Sequence, residues 1–231
     1  MGCRKRTAVR VENVVMGNDE LALTRRSLHG VAELVLAGPQ YRATGRLRLG
    51  VVPGGFATTL MPRLRVDGSG VSDSEGVTAA IHGRTPRELG AELGVAAGRP
   101  EGAYEGGSGV EPDETLAVDP GQAGLILQAL ALGHDALVAF AAGESPVLWP
   151  EHFDVAVRVH DINFGVSPGD SFSAEPYAYI GVAAAPAGDG FWNAPFGAAV
   201  PLRELPDAAA VTAFFAAGRE RARNCDRRSE S

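Results

Sequence analysis

Lysine and cysteine are all but missing from this chain, and each shortage excludes something. Lys5 is the only lysine, so twenty of the 21 basic side chains are Arg, and with abundant Ala and Gly this suggests a GC-rich coding sequence. Cys3 and Cys225, the two cysteines, sit in basic, polar tails. No disulfide framework or Cys-based zinc site can be built from them, and free thiols in a reducing cytoplasm are expected. Positive charge is also short: 28 acidic side chains against 21 basic ones give a net charge of −7. That balance disfavours phosphate backbones and anionic lipid, so neither a nucleic-acid nor a membrane partner is expected.

Motifs are scarce as well. The opening fifteen residues, MGCRKRTAVRVENVV, lack the apolar core of a secretory signal, and Arg6 stands where a myristoylation pattern wants Ser or Thr. Met16 begins MGNDELAL, a plausible start followed by a helix cap, so residues 1–15 read as a loose basic arm or a mis-assigned start. Glycines 106, 107 and 109 form no phosphate loop, because no Gly-Lys-Ser/Thr follows.

What is present resolves into helix and strand periods. Residues 18–39 are amphipathic, with Leu21, Leu28, Val31, Leu34 and Val35 on one face and Gly38-Pro39 as the expected stop; His29 falls inside this helix and is read as scaffold. From residue 43 to 82 the period shortens to two, broken at Pro53-Gly54-Gly55 and Pro62, which predicts a meander with Arg46 and Arg48 on a wet face. Thr85-Pro86-Arg87-Glu88 carries a capping box that opens a short helix to about Val95. Residues 96–118, rich in Gly, Pro and Glu, read as a connecting loop, with a lid as the alternative. Asp119-Pro120 caps the most apolar helix, which Gln128, His134 and Asp135 interrupt short of the about 20 apolar residues a membrane span wants. His134 and Asp135, adjacent on that helix, point apart and make a weak acid/base pair. A last helix, capped by Asp207, packs through Val211, Phe214 and Phe215, and its tail beyond Asn224 is expected to fray.

Aromatic residues number only fifteen, yet nine lie between Leu148 and Phe196, with both tryptophans and two of the five histidines. Alternation from His152 to His160 places Phe153, Val155, Val157 and Val159 on one face and His152, Asp154, Ala156, Arg158 and His160 on the other, followed by a turn at Asn163. Same-face neighbours on a strand are ~7 Å apart, so His152 and Asp154 could share one ion or one water. Ser167-Pro168-Gly169-Asp170 is a turn signature, and a strand resumes at Glu175, bringing Asp170 and Glu175 near one rim. These acids also have a structural use: Asp170 can serve its turn, and Asp154 and Glu175 can pair with Arg158 or another Arg.

WPEHFD, FGVSPGD, EPYAYI and FWNAPFG, in this order, are similar to a signature of bacterial proteins of uncharacterised function in which WPxxFD, SPGD, EPYxY and FW motifs follow one another. The resemblance covers about residues 148–197 and implies no activity, substrate or cofactor. The meander with its flanking helices is similar to sterol-carrier-like domains at the level of fold alone, which assigns no residue a role.

The expected architecture is α+β: antiparallel strands in one sheet or two, a long buried central helix, and helices at both ends. Residues 16–231 form a single domain or two lobes, 16–95 and 119–224, joined by the loop 96–118. The leading functional expectation is a soluble cytoplasmic protein that binds a small molecule against an aromatic-lined pocket of Trp149, Phe164, Tyr177, Tyr179, Trp192 and Asn193. One alternative is a metal-assisted hydrolase using His152, Asp154, Asp170 and Glu175 as ligands to a divalent metal, although no HxxxH or Cys-pair spacing is present. The other is a protein-interaction module. No organic cofactor is implied, and the oligomeric state is left open.

Overall fold

The chain enters its sheet in the middle and works outward twice. In the computed structural model, which describes residues 19–183 and 190–229, ten strands form one antiparallel sheet in the order β10-β9-β8-β7-β6-β1-β2-β3-β4-β5. The first half lays down β1 (Leu49–Val52), β2 (Gly55–Thr58), β3 (Leu64–Val66), β4 (Gly70–Asp73) and β5 (Thr78–Ala80) as a meander toward one edge. The second half adds β6 (Val147–Trp149), β7 (Asp154–Val159), β8 (Ile162–Ser167), β9 (Tyr177–Gly181) and β10 (Gly197–Pro201) toward the other. Leu49 of β1 pairs with Leu148 of β6, so the two strand groups make one sheet and share one core. The basic arm 1–15 lies outside the described residues.

Helices cover the sheet. α4 (Pro120–Phe140) lies across β7, β8, β1 and β2, and α5 (Ala208–Ser229) packs on α4 and β9. Asp119 caps α4 by accepting from the Gln122 N–H at 2.8 Å, with Pro120 in the first turn where its missing N–H costs nothing. Among the described helices, α4 alone is long and apolar enough to cross a membrane, and half of its most apolar window is buried in this core. Phe140, Phe164 and Phe215 interlock where α4, β8 and α5 meet, with ring centres 4.6 to 5.8 Å apart. Asp207 starts α5 through the Ala210 N–H, and Val211, Phe214 and Phe215 are buried beneath it.

Gly38-Pro39 does not end the first helix. α1 (residues 19–30) runs into a π-helical segment, Val31–Ala37, and on through α2 (Gly38–Thr44), where Gly45 at φ 68° finally breaks it. The wider turn bonds the Gly38 N–H to the Glu33 carbonyl, and Pro39 has no N–H to offer the carbonyl of Leu34. That carbonyl instead accepts the Gly98 N–H at 2.9 Å. A side chain at Gly38 would run into the backbone of Gly98, so the glycine serves close approach rather than termination. Gln40, fully buried just beyond, donates to the carbonyls of Arg46 and Arg48 and accepts from the N–H groups of Thr59 and Leu60, fastening α2 to the first hairpin.

Residues 96–118 are therefore not a loose connection. Val110, Leu116 and Val118 are buried, and Leu116 exchanges backbone bonds with Gly83 and Arg84 beside α3 (Pro86–Glu92), whose Thr85 and Glu88 form the expected capping box. The β7–β8 turn also differs from expectation. It falls at His160-Asp161, with His160 at φ 54°, and Asn163 lies within β8 opposite Arg158.

Two glycines of α4 test this packing. A methyl group at Gly133 would sit 2.6 Å from Val166 and 2.8 Å from Val155, whereas one at Gly124 meets nothing within 4 Å. Alanine gains about 1 kcal/mol of helix propensity at either position, but overpacking at Gly133 costs about 1–3 kcal/mol. Gly124→Ala is expected to stabilise and Gly133→Ala to destabilise in denaturant unfolding. Equal shifts would show that α4 does not press on β7 and β8.

Candidate functional site

Strand alternation sorts β7, β8 and β9 into two faces. Val155, Val157, Phe164, Val166, Ala178 and Ile180 meet the helices and are buried there. Asp154, Ala156, Gly165, Ser167, Tyr177 and Tyr179 alternate with them on the outer face, where water would ordinarily be expected. Yet Asp154 is only 5% exposed, Ser167 2% and Tyr177 4%. A second aromatic layer keeps them dry. The rings of Phe172, Tyr177, Tyr179 and Phe196 touch in a closed circuit, with centres 5.3, 6.2, 6.1 and 4.9 Å apart in that order around it.

These four rings form one wall of a cavity of about 750 Å³. Helix α1 supplies Arg25, Arg26 and His29 to the opposite side, residues 105–108 form a third side, and Asp154, Asn163 and Ser167 lie on the sheet. His29 stacks on Phe153, ring centres 5.4 Å apart and planes 9° from parallel, and its Nε2 pairs with the Pro150 carbonyl at 2.8 Å. Burial pushes the His29 imidazole below its usual value, partly offset by that carbonyl, so it is held neutral with Nε2–H as donor. Phe153 is at φ 55°, so it and His152 belong to the turn before β7 rather than to the strand, and their sidedness is not the alternation expected.

Gly165 sets the central geometry. It lies opposite both Ala156 of β7 and Tyr179 of β9, and a methyl group on it would come within 2.6 Å of the Tyr179 ring. The ring therefore lies across the bare backbone of β8, and its hydroxyl donates to Oδ2 of Asp154 on the next strand. The other oxygen, Oδ1, is buried with no partner among the described residues. Burial raises the Asp154 carboxyl from its ordinary value, with the Tyr179 hydrogen bond opposing, and burial beside Asp154 raises the Tyr179 phenol.

Asp170 contrasts with Asp154 because it is saturated. Its Oδ1 accepts from the N–H groups of Phe172 and Ser173, and its Oδ2 from the hydroxyls of Tyr177 at 2.6 Å and Ser167 at 3.4 Å. Arg25 pins this turn to α1 by donating to the Ala174 carbonyl at 2.9 Å. The wall at 105–108 is tied down by Glu33, a fully buried acid in the π-helical segment that accepts from Tyr104 Oη at 3.2 Å, Ser108 N at 2.9 Å and Ser108 Oγ at 2.6 Å. Any side chain at Gly107 would collide with that carboxylate.

Of the six residues proposed from the sequence as a ligand pocket, Tyr177 and Tyr179 line this cavity and four lie elsewhere. Phe164 is fully inside the helix-facing core, because its parity on β8 points it there. Trp149 is half-buried under Arg48, whose guanidinium lies 5.7 Å from its ring centre. Trp192 packs edge-on against Phe191 at 5.1 Å, and Asn193 exchanges two hydrogen bonds with the backbone of Ala199. The three acids and one histidine suggested as metal ligands are also divided. His152, Asp154 and Asp170 line the cavity, but Glu175 faces outward into an ion pair with Arg203. Among the described residues no group of three or more His, Cys, Asp and Glu is arranged to hold a metal ion. Arg158 pairs with Asp161 instead of either acid, and His134 reaches Asp135 on the surface, 3.4 Å away.

Sequence reading assigns Arg25, Arg26, Glu33, Phe172 and Phe196 no site role, and His29, read there as scaffold, lines the cavity instead. One signal was legible, the single acid in the otherwise apolar run VAELVLA. No family model, curated protein or solved structure matches this chain.

Two substitutions probe the centre. The folded state holds the Asp154 proton above the ordinary value of 3.8, so this group's contribution to stability is complete below that pH and is lost as pH rises through the folded value. Asp154→Asn has no proton to lose. Its stability relative to the natural protein is expected to rise with pH from about 4 upward, by about 1–3 kcal/mol, in unfolding measured across pH; a flat difference would show the carboxyl to be unperturbed. Gly165→Ala is expected to cost about 1–3 kcal/mol by forcing Tyr179 off its bed. The cost should disappear in a Tyr179→Ala background, where the methyl meets no ring.

Proposed function

We propose that this protein binds a small organic molecule in the cavity between α1 and the outer face of β7–β9. One observation carries the reading: Asp154, which lines a roomy, aromatic-walled hollow, has a buried carboxyl oxygen with no partner among the described residues. An unpartnered buried acceptor costs about 1–3 kcal/mol, and a ligand group that completes it recovers that cost on binding. Cavities of this size, mostly apolar with a few convergent polar groups, are where small molecules are held. The rings supply contact area at low entropic cost, Asp154 supplies orientation, and the saturated Asp170 and Glu33 hold two walls in place.

A metal-assisted hydrolase is the weaker reading, since Glu175 is engaged with Arg203 and the remaining candidates do not converge. A place in the cytoplasm belongs to the same proposal and rests on the free-thiol composition and the acidic charge.

The reading is tested by thermal unfolding of the full chain against a library of small aromatic and polar compounds, with hits mapped by NMR. At a hundred times its Kd a ligand adds about 2.7 kcal/mol to stability. At least one compound is expected to raise the midpoint and shift the signals of Phe172, Tyr177, Tyr179 and Phe196, and Phe196→Ala should weaken it. Hits that leave those signals unmoved, or a library without hits, would refute the proposal.

A further inference from the structure

Resting on that small-molecule reading, we infer that the cavity recognises an organic ammonium group, seated against the four-ring wall with its single charge met by the Asp154 carboxyl. Three independent features converge on a cation. Phe172, Tyr177, Tyr179 and Phe196 form a closed circuit of rings, tilted 53 to 80° to one another, so that faces as well as edges are presented around the circuit. Aromatic faces carry negative potential, and groups of them are how proteins hold ammonium ions.

The second feature is the open acceptor. Asp170 already receives four donors, so it orients the turn and has little left to give a ligand. Asp154 has Oδ2 engaged by Tyr179 and Oδ1 without a partner among the described residues. A charge-assisted N–H bond to that oxygen satisfies it more strongly than a neutral donor does, whereas a trimethylated ammonium, having no N–H, meets the carboxyl by charge alone.

The third is charge balance. Glu105, Glu151, Asp154 and Asp170 line the cavity against Arg25 and Arg26. Both arginines are turned to protein acceptors, Arg25 to the Ala174 and Pro168 carbonyls and Arg26 to Glu114 and the Gly109 carbonyl. An anionic ligand would meet a surplus of acids, and a cation meets complementary charge.

The experiment titrates the full chain with benzylammonium, benzyltrimethylammonium, benzyl alcohol and benzoate by calorimetry, in the natural protein, Asp154→Asn and Phe172→Ala. The two cations are expected to bind roughly tenfold tighter than benzyl alcohol, with benzoate weakest. Asp154→Asn should weaken the two cations more than it weakens benzyl alcohol, narrowing the preference for cations. Phe172→Ala should weaken benzyltrimethylammonium most; Phe172 is 45% exposed, so this variant tests the inference even if the Asp154 variant does not fold. Binding of benzyl alcohol or benzoate as tight as that of the cations would overturn the ammonium assignment and leave small-molecule binding standing. No binding by any of the four would overturn the assignment too, and the compound library separately decides the broader reading.

Discussion

Burying a carboxyl group between strands is tolerable only if something else supplies its partner, and the outer face of the C-terminal half is arranged around that constraint at Asp154. Tyr179 reaches it because Gly165 leaves the intervening strand bare. Tyr177, Phe172 and Phe196 close over Tyr179, and Asp170 holds the turn that carries Phe172. The ring packing shields the acid from water, which raises its pKa against the lowering effect of the Tyr179 hydrogen bond, and none of these contacts reaches its second oxygen. The result is a preorganised acceptor in a dry recess, the arrangement in which one hydrogen bond from a ligand counts for most.

The opposite side of the cavity depends on an irregularity. In a regular α-helix the missing N–H of Pro39 would orphan the Val35 carbonyl, and in the π register of Val31–Ala37 it is the Leu34 carbonyl that loses its partner. The π-helical segment passes that carbonyl to Gly98 and brings the 96–118 loop against the helix, where Glu33 collects Tyr104 and Ser108. The same helix carries Arg25 and His29 to the cavity one and two turns earlier. One element thus anchors a wall and contributes to the lining, so a change in the π-helical segment is felt at the site.

Element types were largely readable along the chain. The amphipathic first helix, the meander, the capping box at Thr85, the cap at Asp119 and the aromatic helix at the C-terminus depend on spacings of three, four and two residues that adjacent positions carry themselves. The errors fell where a residue has two uses. Gly38-Pro39 reads as a stop but serves close packing and a displaced hydrogen bond. The Gly-rich 96–118 stretch reads as a linker, because its few apolar residues are spaced too widely to show a period, yet Val110, Leu116 and Val118 all reach the core.

Composition and periodicity by themselves determined an α+β protein with antiparallel strands, a buried central helix and an aromatic-rich C-terminal half in which Tyr177, Tyr179, Asp154 and Asp170 stood out. Which of those aromatics face a hollow was decided by tertiary structure alone. Phe164 and Tyr179 both sit on strands rich in apolar residues, and only strand register and the position of α4 assign one to the core and the other to the cavity. Arg25 and His29 lie more than a hundred residues from their partners at Ala174 and Pro150, and a contact of that range leaves no local trace in a single sequence.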